Sequence, residues 1–281
     1  MFMPLMLLMK KLVFILLFSF AFFSCTYTQD ASFVNTYTVG ETKISIREQC
    51  CYPCHPGILF VNVHDNEKTS VKAAEQYLNE IGGRLINIQN NGERLISFKL
   101  KGKTYWFDPN RIYSATGIDT TLTILSARYS VEAARELAKF ARSITTNYVD
   151  SSNLIVSLHN NRDSSLSVLT YQNNLDTNKN MGKAFVNPAM DIDDFILTTD
   201  TTLFNRIKEK NINVVWEDIN AIKDDGSLSL YAARHRIPYI NVEAEHEHAE
   251  EQLRMLMTLE EIINDYRQEL KETVFTKSKP H

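Results

Sequence analysis

The chain predicts an α/β fold, with a mostly parallel or mixed central sheet and helices on both faces. Three observations carry that expectation. Short apolar runs such as ILFVNV at residues 58–63 mark strands buried on both sides. Segments with helical spacing and cap residues lie between them. The two kinds of segment alternate along the chain, which favours a sheet covered by helices front and back.

Taken in order, residues 33–49 alternate enough to form one or two edge strands, and 58–63 form the first buried strand. Residues 69–81 (TSVKAAEQYLNEI) open with Thr and Ser, keep a helical period and stop at Gly82-Gly83. RLINIQN at 84–90 is the next strand, and 94–109 reads as a hairpin turning at Lys101-Gly102. Residues 129–147 form a strong helix, and NLIVSLHN at 153–160 is a second buried strand ending on His159. After a polar stretch come DDFILTTD, a helix near 201–210 and the segment NVVWED at 213–218. The last strand is 237–246, and one long polar helix, 246–270, closes the chain.

Residues 1–24 are apolar apart from Lys10 and Lys11, and FSC at 23–25 resembles a bacterial lipobox. The expectation is a lipoprotein signal peptide over 1–24 with Cys25 as the lipidated residue. The envelope protein would then be membrane-anchored, with its folded part outside the cytoplasm. The remaining 257 of the 281 residues divide into a linker with edge strands, 25–55, and one catalytic domain, 56–281. A net charge of −4 without a basic stripe argues against a nucleic-acid partner. Cys50, Cys51 and Cys54 in QCCYPCHP suggest one local disulfide and one spare thiol rather than a metal knot.

Three predicted strands end on groups that share a chemistry. His64 and Glu67 follow the first buried strand, His159 ends the second, and Glu243 lies near the end of the last. Ligands of such sheets sit at the carboxyl ends of the strands. Two His and a Glu are a ligand set for Zn2+ that leaves a position for water, and a further carboxylate can act as the base. Strand alternation selects Glu243 as that base, with Glu245 as the alternative. Asp65 is expected beside the site or in a turn, and His246 and His248 are candidates to support the ligands.

HxxE at 64–67, DPNR at 108–111, SLH at 157–159 and a strand-end Glu resemble, in order and spacing, the zinc carboxypeptidase superfamily. The closest branch is the one containing succinylglutamate desuccinylase and aspartoacylase. The resemblance covers roughly residues 56–250. It implies zinc on His64, Glu67 and His159, and a grip on the substrate's free carboxylate by Asn110 and Arg111. That branch carries an oxyanion-stabilising Arg seven residues before its Asn-Arg pair, and here the position is Lys103. Arg234 is a candidate second carboxylate or oxyanion group. The C-terminal β-domain that narrows the aspartoacylase pocket has no counterpart in the sequence, so a wider cleft is expected.

The resulting expectation is a zinc metallohydrolase of the cell envelope, of carboxypeptidase or N-acyl amino acid deacylase type. Its substrate is a peptide, including peptidoglycan-derived ones, or an N-acyl amino acid. The alternative is a non-catalytic zinc- or ligand-binding lipoprotein that keeps the fold, a reading favoured only by Lys103. For the anchor, Cys25→Ala is expected to abolish palmitate labelling of the expressed protein, and undiminished labelling would exclude Cys25 as the lipidated residue.

Overall fold

The computed structural model describes residues 31–55, 57–162, 166–177 and 182–277, without the side chains of 175–177 and 269–277. The expected signal peptide and Cys25 lie outside the described residues.

Among the described residues, nine strands form one mixed sheet in the order β1-β2-β4-β3-β7-β11-β9-β10-β8, and β5 (Ile96–Leu100) and β6 (Lys103–Phe107) form a separate hairpin. β1 (Ala31–Val39) and β2 (Thr42–Cys51) are the two expected edge strands. They belong to the same sheet as the rest, because β2 pairs antiparallel with β4 (Gly83–Gln89) from Ser45–Gln89 to Cys51–Gly83. In the centre, β4, β3 (Ile58–Asn62), β7 (Leu154–Asn161) and β11 (Tyr239–Glu245) run parallel. β9 (Phe195–Thr198) and β10 (Val214–Glu217) are parallel to each other and antiparallel to β11, and β8 (Gly182–Phe185) closes the far edge.

Pleating divides the core into two layers. Leu59, Val61, Ile155 and Tyr239 face α2 (Ala115–Ser126), α3 (Val131–Ile144), α4 (Val168–Thr177) and α6 (Leu228–Arg234). Ile58, Phe60, Val156, Val242 and Ala244 face α1 (Lys68–Ile81), α5 (Thr201–Glu209), α7 (Ala249–Thr258) and α8 (Glu260–Lys277). Helices therefore cover both faces, as the sequence pattern predicts.

Some elements depart from the expectation for identifiable reasons. The run of α2 is rich in Thr and holds Gly117, which weakens a helix signal. The helix is secured instead by the Ser114 cap and by Thr121 and Ser126, whose hydroxyls accept from the backbone of Asp108, just after β6 (Lys103–Phe107), and of Trp106 within it. α4, β8 and α6 are short pieces inside a polar stretch. The closing helix is two helices, α7 and α8, meeting at Leu259. Cys50 and Cys54 form the local disulfide and Cys51 is a buried thiol.

The carboxyl end of β3 leads through α1 to β4 on one side, whereas β7 leads away towards β9, β10 and β11 on the other. Such a divergence opens a crevice at the strand ends. Gln252 of α7, fully buried, fastens its far side: Nε2 donates to the carbonyls of His159 and Val242, and Oε1 accepts from Asn160. Gln252→Met, close in shape but without those three bonds, is expected to cost about 2–3 kcal/mol in denaturant unfolding.

Candidate metal centre and cleft

His64, in the turn after β3, is wholly buried, as are Glu67 and His159 to within 5%. The Nδ1 atoms of the two histidines lie 3.3 Å apart. Glu67 bridges them, with Oε1 3.0 Å from His64 Nδ1 and Oε2 3.0 Å from His159 Nδ1. The three side chains that the sequence singled out as ligands thus offer donor atoms within 4.8 Å of one another.

The orientation of each ring is set from outside. His64 Nε2 lies 2.8 Å from Asp108 Oδ1, and His159 Nε2 lies 3.1 Å from Ser157 Oγ on the same strand face. With the outer nitrogens engaged, both inner Nδ1 atoms are presented to Glu67. Two imidazole nitrogens and a carboxylate crowded together out of water repel one another unless a proton or cation lies among them. The donor set therefore fits a metal ion bound by two nitrogens and one oxygen. Burial acts to raise the Glu67 carboxyl, but His159 and His64 outweigh it and hold Glu67 well below the usual range. Asp108 is likewise held low against its burial, chiefly by His64. Asp108 and Ser157, rather than His246 or His248, support the ligand rings. His248 turns to Asp194 instead, with Nδ1 3.3 Å from Oδ2.

Glu67 stands at the N-cap of α1 yet makes no capping bond, because its carboxylate is turned to the histidines. The backbone of that first turn is served by Asn160, whose Oδ1 accepts from Ser70 N at 2.8 Å. Asp65 is a tie between loops. Its Oδ2 accepts from the backbone of Asn90 and Gly92 at 2.6 and 2.8 Å, and its Oδ1 pairs with Lys68.

That tie places a residue the sequence reading missed. Arg94 follows the Asn90–Gly92 turn, donates to Glu67 Oε1 and lies 3.9 Å from Asp108 Oδ2. Lys103, expected there, is exposed at the tip of the β5–β6 hairpin, opposite Leu100 of β5 (Ile96–Leu100), and lines neither hollow of the cleft. Five residues of extended strand carry it roughly 16 Å from Asp108. Arg234 is also elsewhere. At the end of α6 it pairs with Asp224 at 2.7 Å, and its reach is spent on that loop.

Two hollows meet at the ligand cluster, one of about 400 Å³ and one of about 360 Å³, and both are lined by Arg94, His159 and Glu243. Glu243, 7% exposed, is opposite His159 in the β11–β7 register and accepts from Asn241 Nδ2 at 3.0 Å. Burial pushes its carboxyl up, His159 opposes this and Glu67 adds to it. Glu245 lines neither hollow and lies 3.6 Å from His248 Nε2.

Asn110 and Arg111 line the smaller hollow. Asn110 Oδ1 accepts from Leu228 N at the start of α6, so its Nδ2 donors remain for the cleft. Arg111 Nη1 is held by the carbonyl of Asn110 at 2.8 Å, while Nη2 is 3.5 Å from Asp225. The spacing of the two loops is fixed by Gly117 and Gly226. A Cβ on Gly226, whose φ is +76°, would lie 2.6 Å from Gly117 Cα and 2.8 Å from Arg111 O.

No protein-family model matches the chain, and no curated protein matches it in sequence. Among solved structures it is similar to an aspartoacylase family protein from Mesorhizobium loti, with 13% identity over 82% of this chain and 66% of that one and a TM-score of 0.41. A succinylglutamate desuccinylase/aspartoacylase from Rhodobacter sphaeroides gives 11% identity, coverage of 84% and 66%, and a TM-score of 0.41. The product-bound ectoine utilization protein EutE from Ruegeria pomeroyi gives 11%, 84%, 68% and 0.42.

Glu217, the last residue of β10, lines the smaller hollow, where burial and the neighbouring Asp225 push its carboxyl up to about 7 against the pull of Arg111. The folded-state value lies above the ordinary 4.5, so the ionised form is a penalty that grows from pH 4.5 to 7 and is complete above. Glu217→Gln is expected to raise the melting temperature by roughly 2–6 °C at pH 8 and to leave it nearly unchanged at pH 4, as read by scanning calorimetry.

Proposed function

We propose that the chain is a zinc-dependent amide hydrolase of the cell envelope. It would cleave a peptide or N-acyl amino acid beside a free carboxylate and be anchored to a membrane through Cys25. The observation that carries the hydrolytic reading is the convergence of His64, Glu67 and His159 with Glu243 on the neighbouring strand, at the junction of two hollows.

The residues divide the work. His64, Glu67 and His159 would hold zinc, which supplies a Lewis acid and a water of lowered pKa. Asn110 Nδ2 and the Arg111 guanidinium take the substrate carboxylate, for which a planar fork is suited. That places the scissile amide at the meeting point of the hollows, with the acyl group in the larger one. Glu243 takes a proton from the attacking water and delivers it to the leaving nitrogen. Arg94 donates hydrogen bonds to the carbonyl oxygen as negative charge builds there. Arg94 supplies the cation whose apparent loss at Lys103 favoured a non-catalytic binding protein.

Metal analysis and turnover separate these roles. The wild type is expected to carry about one zinc per chain, to lose activity to a chelator and to recover it with zinc. His64→Ala should lose the metal. Glu243→Gln should keep zinc and substrate affinity while losing about 10²–10⁴-fold in kcat, and loss of zinc in that variant would make Glu243 a ligand instead.

A further inference from the structure

The smaller hollow has a wall that hydrolysis itself does not use, and it is built from acceptors. Asn241 is 8% exposed; its Nδ2 serves Glu243, and its Oδ1 has no hydrogen-bond partner. Among the described residues, Glu217 meets Arg111 and Asp225 only through longer-range charge, with no hydrogen bond to its carboxylate. Asp225, half-exposed, has Arg111 as its nearest cation, at 3.5 Å. The other two cations that line this hollow are turned to other surroundings: Arg94 is paired with Glu67, and Lys223 is exposed.

Substrate binding sharpens this imbalance. A carboxylate that engages Arg111 draws it from Asp225, leaving two carboxylates and an unpaired amide oxygen around the rest of the bound residue. An acidic side chain would add a third negative charge in a partly buried site. An apolar one would leave the Asn241 oxygen unsatisfied. An ammonium or guanidinium meets all three acceptors, and the rings of Tyr171 and Tyr239, which line the same hollow, can flank its methylene stem.

We propose that Glu217, Asp225 and Asn241 select substrates whose carboxylate-bearing residue has a cationic side chain, such as a peptide or N-acyl amino acid ending in a basic residue. The proposal rests on the reading that Asn110 and Arg111 grip the free carboxylate. It names Glu217 as the specificity-determining residue.

The test uses zinc-loaded protein and three N-acetyl dipeptides identical except for a C-terminal Lys, Gln or Glu. Binding is measured by calorimetry on the Glu243→Gln background, and kcat/KM is measured on the wild type. The Lys peptide is expected to bind about 10- to 100-fold more tightly than the Gln peptide, the scale of a charge-assisted hydrogen bond, with Glu weakest. Adding Glu217→Gln should erase that preference without lowering the melting temperature, and Glu217→Lys should reverse it towards the Glu peptide. Equal binding of the three peptides, or a Lys preference that survives Glu217→Gln, overturns the inference. Lys-selective binding without turnover of any peptide by the wild type upholds the inference and rejects the hydrolytic reading. Turnover indifferent to the last residue does the reverse.

Discussion

Everything at the cleft depends on how two imidazole rings are turned. Asp108 and Ser157 engage the outer nitrogens of His64 and His159, which leaves both Nδ1 atoms facing a buried carboxylate. Three electron-rich donors so arranged need a positive charge among them, and the protein has organised three loops to keep them there. Asp65 binds the turn before Arg94, Asp108 joins the hairpin to His64, and Asn160 joins the end of β7 to the first turn of α1. Each of these ties is a buried or largely buried polar group that would be costly on its own and is offset by being shared between two elements.

The same sheet geometry sets the position of the base. Glu243 and His159 are register partners on parallel strands, so their side chains leave the sheet on one face at neighbouring points. Gln252 pins those two strands from the opposite layer, and Asn241 steadies the Glu243 carboxylate from two residues back. Position at the strand ends is thus a property of the backbone, and the side chains need only the right length.

Much of this was legible in the sequence because it follows strand periodicity. Short apolar runs located β3, β7 and β11, and their polar ends located His64, His159 and Glu243. What escaped was position that depends on loops. Lys103 and Arg94 are nine residues apart in sequence, and spacing to Asn110 alone favoured the lysine. The hairpin projects Lys103 outward, and only the Asp65 contact, invisible to any local pattern, brings Arg94 in. Arg234 misled for a similar reason, since its partner Asp224 lies ten residues back across a turn. The Asp of DPNR was in view, but its bond to His64 spans 44 residues and no periodicity announces it.

The bare contact between Gly117 and Gly226 divides the cleft wall for anyone wishing to redesign it. One loop presents Asn110 and Arg111, the other presents Asp225, and they touch backbone to backbone with no side chain to absorb a change. A graft that replaces the segment from Asp218 to Lys223 can alter length and charge, since it ends before Asp224, which is tied to Ser114 and Arg234. A graft that crosses Gly226 moves the arginine as well, because the same glycine abuts the Arg111 carbonyl. The fold therefore contains a cassette and a fixed seat, and the border between them is the short run from Asp224 to Gly226.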